Sequence, residues 1–423
     1  MNTADLNSNF PVDFVRSQFP AIGNSETVFF DNPAGTQLPD QVFRAMQRTG
    51  ADATANLGGA FARSIAAGEE LLRAERRAAA FLGADDPEEI VFGPSMTELT
   101  FQMSRAIART LSPGDEIVLT NQEHEGNFSP WLLAAKDFGL VIRRVEVDPE
   151  SWRVEQSALE EQLSNKTKVV ALNYASNLTG SINDVHALTK SAKSVGALVY
   201  IDAVQFAPHD IVDVKSIGCD FLVCSAYKFY GPHLGVLWGR KDVLNDLPAD
   251  CVACTVQHPN AKFERGTPQY ELHASLNGCL DYFEDLGQKL RPETTGIAAI
   301  HAALELAKYH EDALCHQLVN GLTDIPGVSI FGISDPSKMD FRVPTVSLIS
   351  SSVPHKVLAE QLASAGINVW HGHNYAIRIL EQFDHDRNNG VCRFGIGHYN
   401  TATDVERAIV AVAAAHDKSQ AVA

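Results

Sequence analysis

The sequence predicts an α/β fold, a mainly parallel sheet covered by helices, followed by a smaller α+β C-terminal domain. Three observations carry this. Short apolar runs alternate with longer amphipathic stretches between Val28 and Trp238. Several of these runs end in polar or glycine-containing turns, such as Phe92-Gly93-Pro94-Ser95 and Asn173-Tyr174-Ala175-Ser176-Asn177. From about residue 290 the pattern changes to closely mixed strands and helices. Alternation of the first kind requires crossover connections, hence parallel pairing with helices on both faces. In open α/β sheets ligands gather at the carboxyl ends of strands, so the turns mark where chemistry is expected.

Each element follows from its periodicity. Compact apolar runs give strands over 28–31, 89–92, 116–120, 141–145, 168–172, 197–202, 220–224 and 235–238. Helical apolar spacing occupies 68–82, 97–109, 129–138 and 184–195. In the second region a long helix is expected over 292–322, then strands over 328–331, 345–349, 367–370 and 391–396, with helices over 354–363 and 403–415. The expected organisation is an N-terminal segment (1–25) packing on the small domain, a large domain (26–290) and a small domain (291–423). Residues 418–423 are expected to fray.

Composition narrows the function classes. The 423 residues carry 34 Lys+Arg against 52 Asp+Glu, a formal charge of −18. Such a surface repels phosphate backbones and anionic membranes, so neither nucleic acid nor membrane is an expected partner. No apolar run approaches the roughly 18–20 residues that span a bilayer. The seven cysteines are odd in number and scattered, unlike a disulfide framework. A reduced, cytoplasmic protein is expected.

Chemistry begins at Ser225-Ala226-Tyr227-Lys228, directly after the apolar run 221–224. A lysine where a buried strand emerges has its amine made nucleophilic toward an aldehyde by desolvation. Upstream, Tyr200-Ile201-Asp202 ends another apolar run in a carboxylate, suited to a protonated pyridine nitrogen. The turn before Met96-Thr97-Glu98 opens a helix, where free N–H groups and the helix dipole favour an anion such as phosphate. As a plain helix cap the same residues would use the same geometry.

From Ile201 to Arg240 the sequence resembles the class V, aminotransferase-type pyridoxal-phosphate (PLP) enzymes, the branch that includes cysteine desulfurases. The resemblance spans nearly the whole chain, from Phe29-Phe30-Asp31-Asn32-Pro33-Ala34-Gly35 to Arg393-Phe394-Gly395 and His398-Tyr399-Asn400-Thr401. It implies fold type I, PLP as cofactor, and a homodimer with shared active sites. It implies that Lys228 binds the cofactor aldehyde covalently and later shuttles the Cα proton, and that Asp202 keeps the ring nitrogen protonated. Gln205 would contact the phenolic oxygen, His124 would stack on the ring, and Asn177 would lie near ring and substrate carboxylate. Met96, Thr97 and Ser225 would hold the phosphate, with Tyr227 beside Lys228 and Thr267 reaching the phosphate of the neighbouring subunit. Arg393 would grip an amino-acid carboxylate in a bidentate fork.

The resemblance has departures. Desulfurases take up sulfur on a loop cysteine, yet Tyr375 occupies the matching place in Gly372-His373-Asn374-Tyr375-Ala376, and no cysteine lies between Cys315 and Cys392. Cys392 adjoins Arg393, and alternation turns it to the opposite face, as a small core residue. Tyr227 stands where the nearest desulfurases carry histidine. The loop 56–62 lacks their basic residues. His373 and Tyr375 become candidates for substrate recognition. No metal set is expected: His371 and His373, or Cys251 and Cys254 with His258, fall short of a ligand pattern. The expected reaction is β-elimination or C–S cleavage of a cysteine-like amino acid without a persulfide. Transamination or Cα epimerisation is the alternative, and a non-catalytic binding protein on the same fold the remote one.

Overall fold

The computed structural model describes residues 10–23 and 25–420. Strands β2 (Ile90–Gly93), β3 (Glu116–Thr120), β4 (Val141–Val145), β5 (Thr167–Asn173), β6 (Leu198–Asp202), β7 (Phe221–Ser225) and β8 (Gly235–Gly239) form one seven-stranded sheet in the order β2-β8-β7-β6-β5-β3-β4. Every pairing from β7 to β4 is parallel, and only β8 runs against its neighbours. Burial on both faces explains why the inner strands read as continuous apolar runs, whereas the edge strand β4, Val-Ile-Arg-Arg-Val, is largely exposed. Leu222 and Cys224 enter one core cluster while Phe221 and Val223 enter the other.

The second region builds a four-stranded antiparallel sheet, β12-β13-β10-β9, from β9 (Val328–Ile330), β10 (Thr345–Ser350), β12 (Trp370–Gly372) and β13 (Val391–Gly395). Cys392 and Phe394 join Val346 and Leu348 in its core, so Arg393 faces the other way, as alternation requires. The run expected as one strand over 367–370 is broken in two. Its first part, β11 (Ile367–Asn368), pairs in parallel with β1 (Val28–Phe29). The expected first strand of the chain therefore lies outside the large sheet, because its partner is distant in sequence.

The expected helices are found to within about two turns at their ends, and the structure adds two long helices and several short ones, among them Gln156–Gln162, Lys241–Asp246 and Ile377–Gln382. Asp40–Asp52 and Tyr270–Leu290 are helices that pack together, and the long helix begins at Ile297 rather than 292. The C-terminal helix continues to Gln420, where fraying was expected from residue 418; residues 421–423 lie outside the described part. Of the expected N-terminal segment, residues 1–9 and 24 also lie outside it. Within the described part Arg16 donates to the Tyr399 carbonyl at 2.9 Å, and the Phe19 ring packs edge-on against Tyr230, Tyr282 and Tyr399. Among the described residues no helix is long and apolar enough to cross a membrane.

Candidate active site

The carboxyl ends of β5, β6 and β7 open onto a cavity of about 610 Å³. Parallel register aligns Asn173 with Asp202, and Asp202 with Val223, so residues that end each strand arrive side by side. Lys228 follows β7 on a single short helical turn. Its amine donates to the Pro33 carbonyl and lies 4.8 Å from the Tyr227 ring centroid. Gly395 lets Pro33 pack against β13, since a Cβ there would sit 2.0 Å from Pro33 Cδ. Burial, reinforced by the positive charge of Arg393, pulls the Lys228 amine down to about 7. An appreciable fraction is thus uncharged, nucleophilic and basic near neutrality.

Asp202 ends β6 with Oδ1 accepting the Val204 N–H at 2.9 Å. Burial raises its carboxyl to about 7, only partly offset by that hydrogen bond and by Lys228. A second buried carboxyl, Glu123, accepts from the Asn173 N–H at 2.9 Å, the Asn127 amide at 2.6 Å and the Thr120 hydroxyl at 2.5 Å. Burial pushes Glu123 up to about 8, with Asp202 adding repulsion. The three donors fix Glu123 behind the next residue, His124.

His124 caps the helix Glu125–Phe138, its Nδ1 accepting the Gly126 N–H at 2.9 Å, which leaves the proton on Nε2. Burial, with Lys228 and Arg393 nearby, drives its pKa down to about 3. The ring is therefore neutral, suited to stacking rather than to donating a proton as a cation. Gly126 permits the approach: a Cβ would fall 2.7 Å from Thr97 Oγ1.

Ser95 caps the helix Met96–Ala108, and Ser95, Met96, Thr97 and Ser225 all line the cavity. The unsatisfied N–H groups of this first turn, with the two hydroxyls of Thr97 and Ser225, are donors suited to an anion. Thr267 is not there; within one chain it lines a separate cavity with Gly266 and Ser95.

At the opposite end Arg393 donates to the Asn177 carbonyl at 2.7 Å, while its buried Nε has no partner. Burial depresses its pKa to about 9, opposed by Tyr227 and Asp31. Asn177 donates to the Asn374 carbonyl at 2.7 Å, leaving its own Oδ1 unpaired. Tyr375 stands over His124 with ring centroids 5.3 Å apart, and its N–H donates to His373 Nδ1 at 3.0 Å.

The expected residues other than Thr267 thus line one cavity. Sequence reading gave no role to Asp31 or Glu123, and Trp370 entered it only as the start of a polar, aromatic loop suited to side-chain recognition. Asp31 and Trp370 come beside Arg393 only through long-range pairing, which leaves no local signal. The residues present fit PLP. Gln205 Oε1 is buried without a partner while Nε2 is spent on Thr345 Oγ1 at 2.9 Å. Turning that amide over pairs Oε1 with the threonine hydroxyl and frees a donor for a ring oxygen. Asp202, short of positive charge, suits a protonated ring nitrogen, and the helix start suits phosphate.

A family model described as aminotransferase class-V matches residues 28–408. The chain is 31% identical to an aminotransferase-like protein of Gibberella zeae, over 96% of this chain and 98% of that one. It is 28% identical to a cysteine desulfurase of Serratia proteamaculans, over 95% and 97%. Among solved structures, the apo cysteine desulfurase of Thermococcus onnurineus NA1 superposes with TM-score 0.86 at 26% identity, covering 97% of this chain and 99% of the other. The cysteine desulfurase CsdA of Escherichia coli gives 0.82 at 25% identity, covering 99% of each chain.

Proposed function

The chain belongs to the class-V aminotransferases, enzymes dependent on PLP, and from that premise we propose that it cleaves the C–S bond of a cysteine-like amino acid by β-elimination, with no persulfide-forming cysteine. One observation supports this most: the Lys228 amine and Arg393 share a cavity in which no cysteine is found among the described lining residues. The relatives named as cysteine desulfurases supply the sulfur chemistry, and Tyr375 supplies the reason for leaving out the sulfur-accepting step.

The residues then divide as follows. Met96, Thr97 and Ser225 hold the phosphate, Asp202 the ring nitrogen, Gln205 the ring oxygen, and His124 the ring face. When bound, PLP supplies an electron-poor ring that takes up negative charge from the substrate Cα. Arg393 holds the substrate carboxylate through its free guanidinium donors, steadied by Asn177. Lys228, whose buried amine is pulled down to about 7, would remove the Cα proton. The leaving sulfur departs as a thiolate and takes its proton from water.

The same proposal includes a homodimer with shared active sites. Thr267 then serves the partner's phosphate, and the exposed apolar residues Phe61, Ile65 and Leu72, at helical spacing, are covered. It also includes the division at 1–25, 26–290 and 291–423, although β1 pairs across that division with β11. A panel of cysteine, cystine and S-substituted cysteines tests the reaction. Pyruvate together with thiol or sulfide is expected, and neither product from any member would refute elimination. Transamination or epimerisation is favoured by the missing thiol, and solvent deuterium entering Cα without pyruvate would identify such Cα-centred chemistry.

A further inference from the structure

The cavity is asymmetric. Its charged lining groups, Asp202, Lys228 and Arg393, are all committed to cofactor, proton transfer or carboxylate. The remaining wall, from Trp370 to Tyr375, is aromatic and polar, carries no Asp, Glu, Lys or Arg, and sits where a substrate side chain would extend.

Register places that wall. Trp370 is the direct cross-strand partner of Arg393 in the antiparallel β12–β13 pair. Residues so paired project from the same face with Cβ atoms about 4.5–5.5 Å apart. An amino acid held by its carboxylate on Arg393 therefore has the indole alongside it. Trp370 is 49% exposed and Tyr375 63%, although both line the same cavity. Large aromatic surfaces left in water inside a cleft mark a ligand contact.

Tyr375 is held there against its backbone preference. Asn374 and Tyr375 are successive non-glycine residues with φ of 47° and 60°. Such conformations persist only where surrounding contacts enforce them. Three contacts do so: Asn177 to the Asn374 carbonyl, the Glu125 N–H to the Tyr375 carbonyl at 2.8 Å, and the Tyr375 N–H to His373. A residue that only filled space would not need this enforcement. At Gly372, between the two residues in sequence, even a Cβ would meet nothing within 4 Å.

We infer that the substrate side chain is bulky, uncharged and planar, seated between Trp370 and Tyr375. This rests on the elimination reading above, which makes the class S-aryl or S-arylmethyl cysteines rather than free cysteine. The reaction balances without an oxidant or reductant. Lys228 takes the Cα proton, and the Cβ–S bond breaks with its electron pair leaving on sulfur. The thiolate gains a proton, and one water hydrolyses the released enamine to pyruvate and ammonia. Sulfur leaves as a complete thiol, so no protein cysteine is required to accept it.

The test compares S-benzyl-L-cysteine with L-cysteine on the holoenzyme, reading pyruvate. kcat/KM is expected to favour the benzyl compound by about tenfold or more. Trp370→Ala is expected to cut that preference about tenfold, mainly through KM, and Trp370→Phe to restore most of it. Binding is read separately from the cofactor absorbance, with L-phenylalanine against L-alanine, since neither has a leaving group. Phenylalanine is expected to bind about tenfold tighter. Selective phenylalanine binding with no pyruvate from any cysteine would refute elimination and leave the aromatic seat standing. Equal turnover of both cysteines, with alanine and phenylalanine binding alike, would overturn the seat and leave elimination standing. A preference that Trp370→Ala leaves unchanged would also overturn it. The wild-type comparisons decide the matter even where that variant does not fold.

Discussion

Asp202→Asn is expected to make the cofactor-free chain more stable, increasingly so as pH rises. The folded carboxyl is raised by burial from the ordinary 3.8 to about 7. Below 3.8 both folded and unfolded forms are protonated and ionisation has no effect. Between 3.8 and 7 the unfolded chain ionises first, so stability falls with pH, and above 7 the loss levels off. At about 1.4 kcal/mol per pH unit, the penalty is about 2 kcal/mol at pH 5.5 and about 4 kcal/mol at pH 8.5. Asparagine keeps an oxygen for the Val204 N–H and cannot ionise, so it avoids the penalty. Urea unfolding of stripped wild type and variant at the two pH values measures the difference. Adding PLP is expected to reverse the order at pH 8.5, because only aspartate offers a negative charge to the protonated ring nitrogen. A difference that stays flat between pH 5.5 and 8.5, or that favours wild type in the absence of cofactor, would refute the reasoning.

Cofactor capture by the stripped chain requires an uncharged Lys228 amine, so its rate is expected to rise with pH and level off above about 7. Arg393→Gln removes a positive charge that lowers this amine and shifts the midpoint upward, as stopped-flow absorbance would show. Gly126→Ala forces a methyl against Thr97 Oγ1 and His124 Nδ1, at 2.7 and 2.9 Å. Cofactor affinity is expected to fall about tenfold by titration, while thermal stability changes little because alanine gains about 1 kcal/mol of helix propensity. Tyr399→Phe removes the hydroxyl that donates to Asn32 Oδ1 and accepts the Gln37 N–H at 3.3 Å. Leaving a buried oxygen unpaired is expected to cost about 1–3 kcal/mol in urea unfolding.

The cofactor end of the cavity was legible because its determinants are local. Asp202 and Lys228 each follow an apolar run within a few residues, and Ser95 to Glu98 carry their own cap. The substrate wall was legible only as a polar, aromatic loop. What places Trp370 beside Arg393 is a pairing between β12 and β13, segments about twenty residues apart with a helix between them. The helix Tyr270–Leu290 escaped notice for another reason. It is buried on several sides, with the polar His273, Ser275 and Asn277 inside, and these interrupt its apolar face. The β1–β11 pairing joins residues near opposite ends of the chain, where no periodicity reports a partner.

Chemistry and recognition also rest on different parts of the structure. Lys228, Asp202 and His124 are carried by the loops that leave the large sheet, where register and capping hold them. Arg393 and Trp370 belong to the four-stranded sheet, and Asn374 and Tyr375 are latched across the gap to Asn177 and Glu125 respectively. A change at 370 or 375 can therefore alter which side chain is accepted without moving the lysine or the buried carboxylate. For the same reason, relatives at 25–31% identity can share a fold while differing in the side chain they accept. On the proposed reading, specificity is set on β12 and the turn after it, and substitutions meant to redirect it belong there.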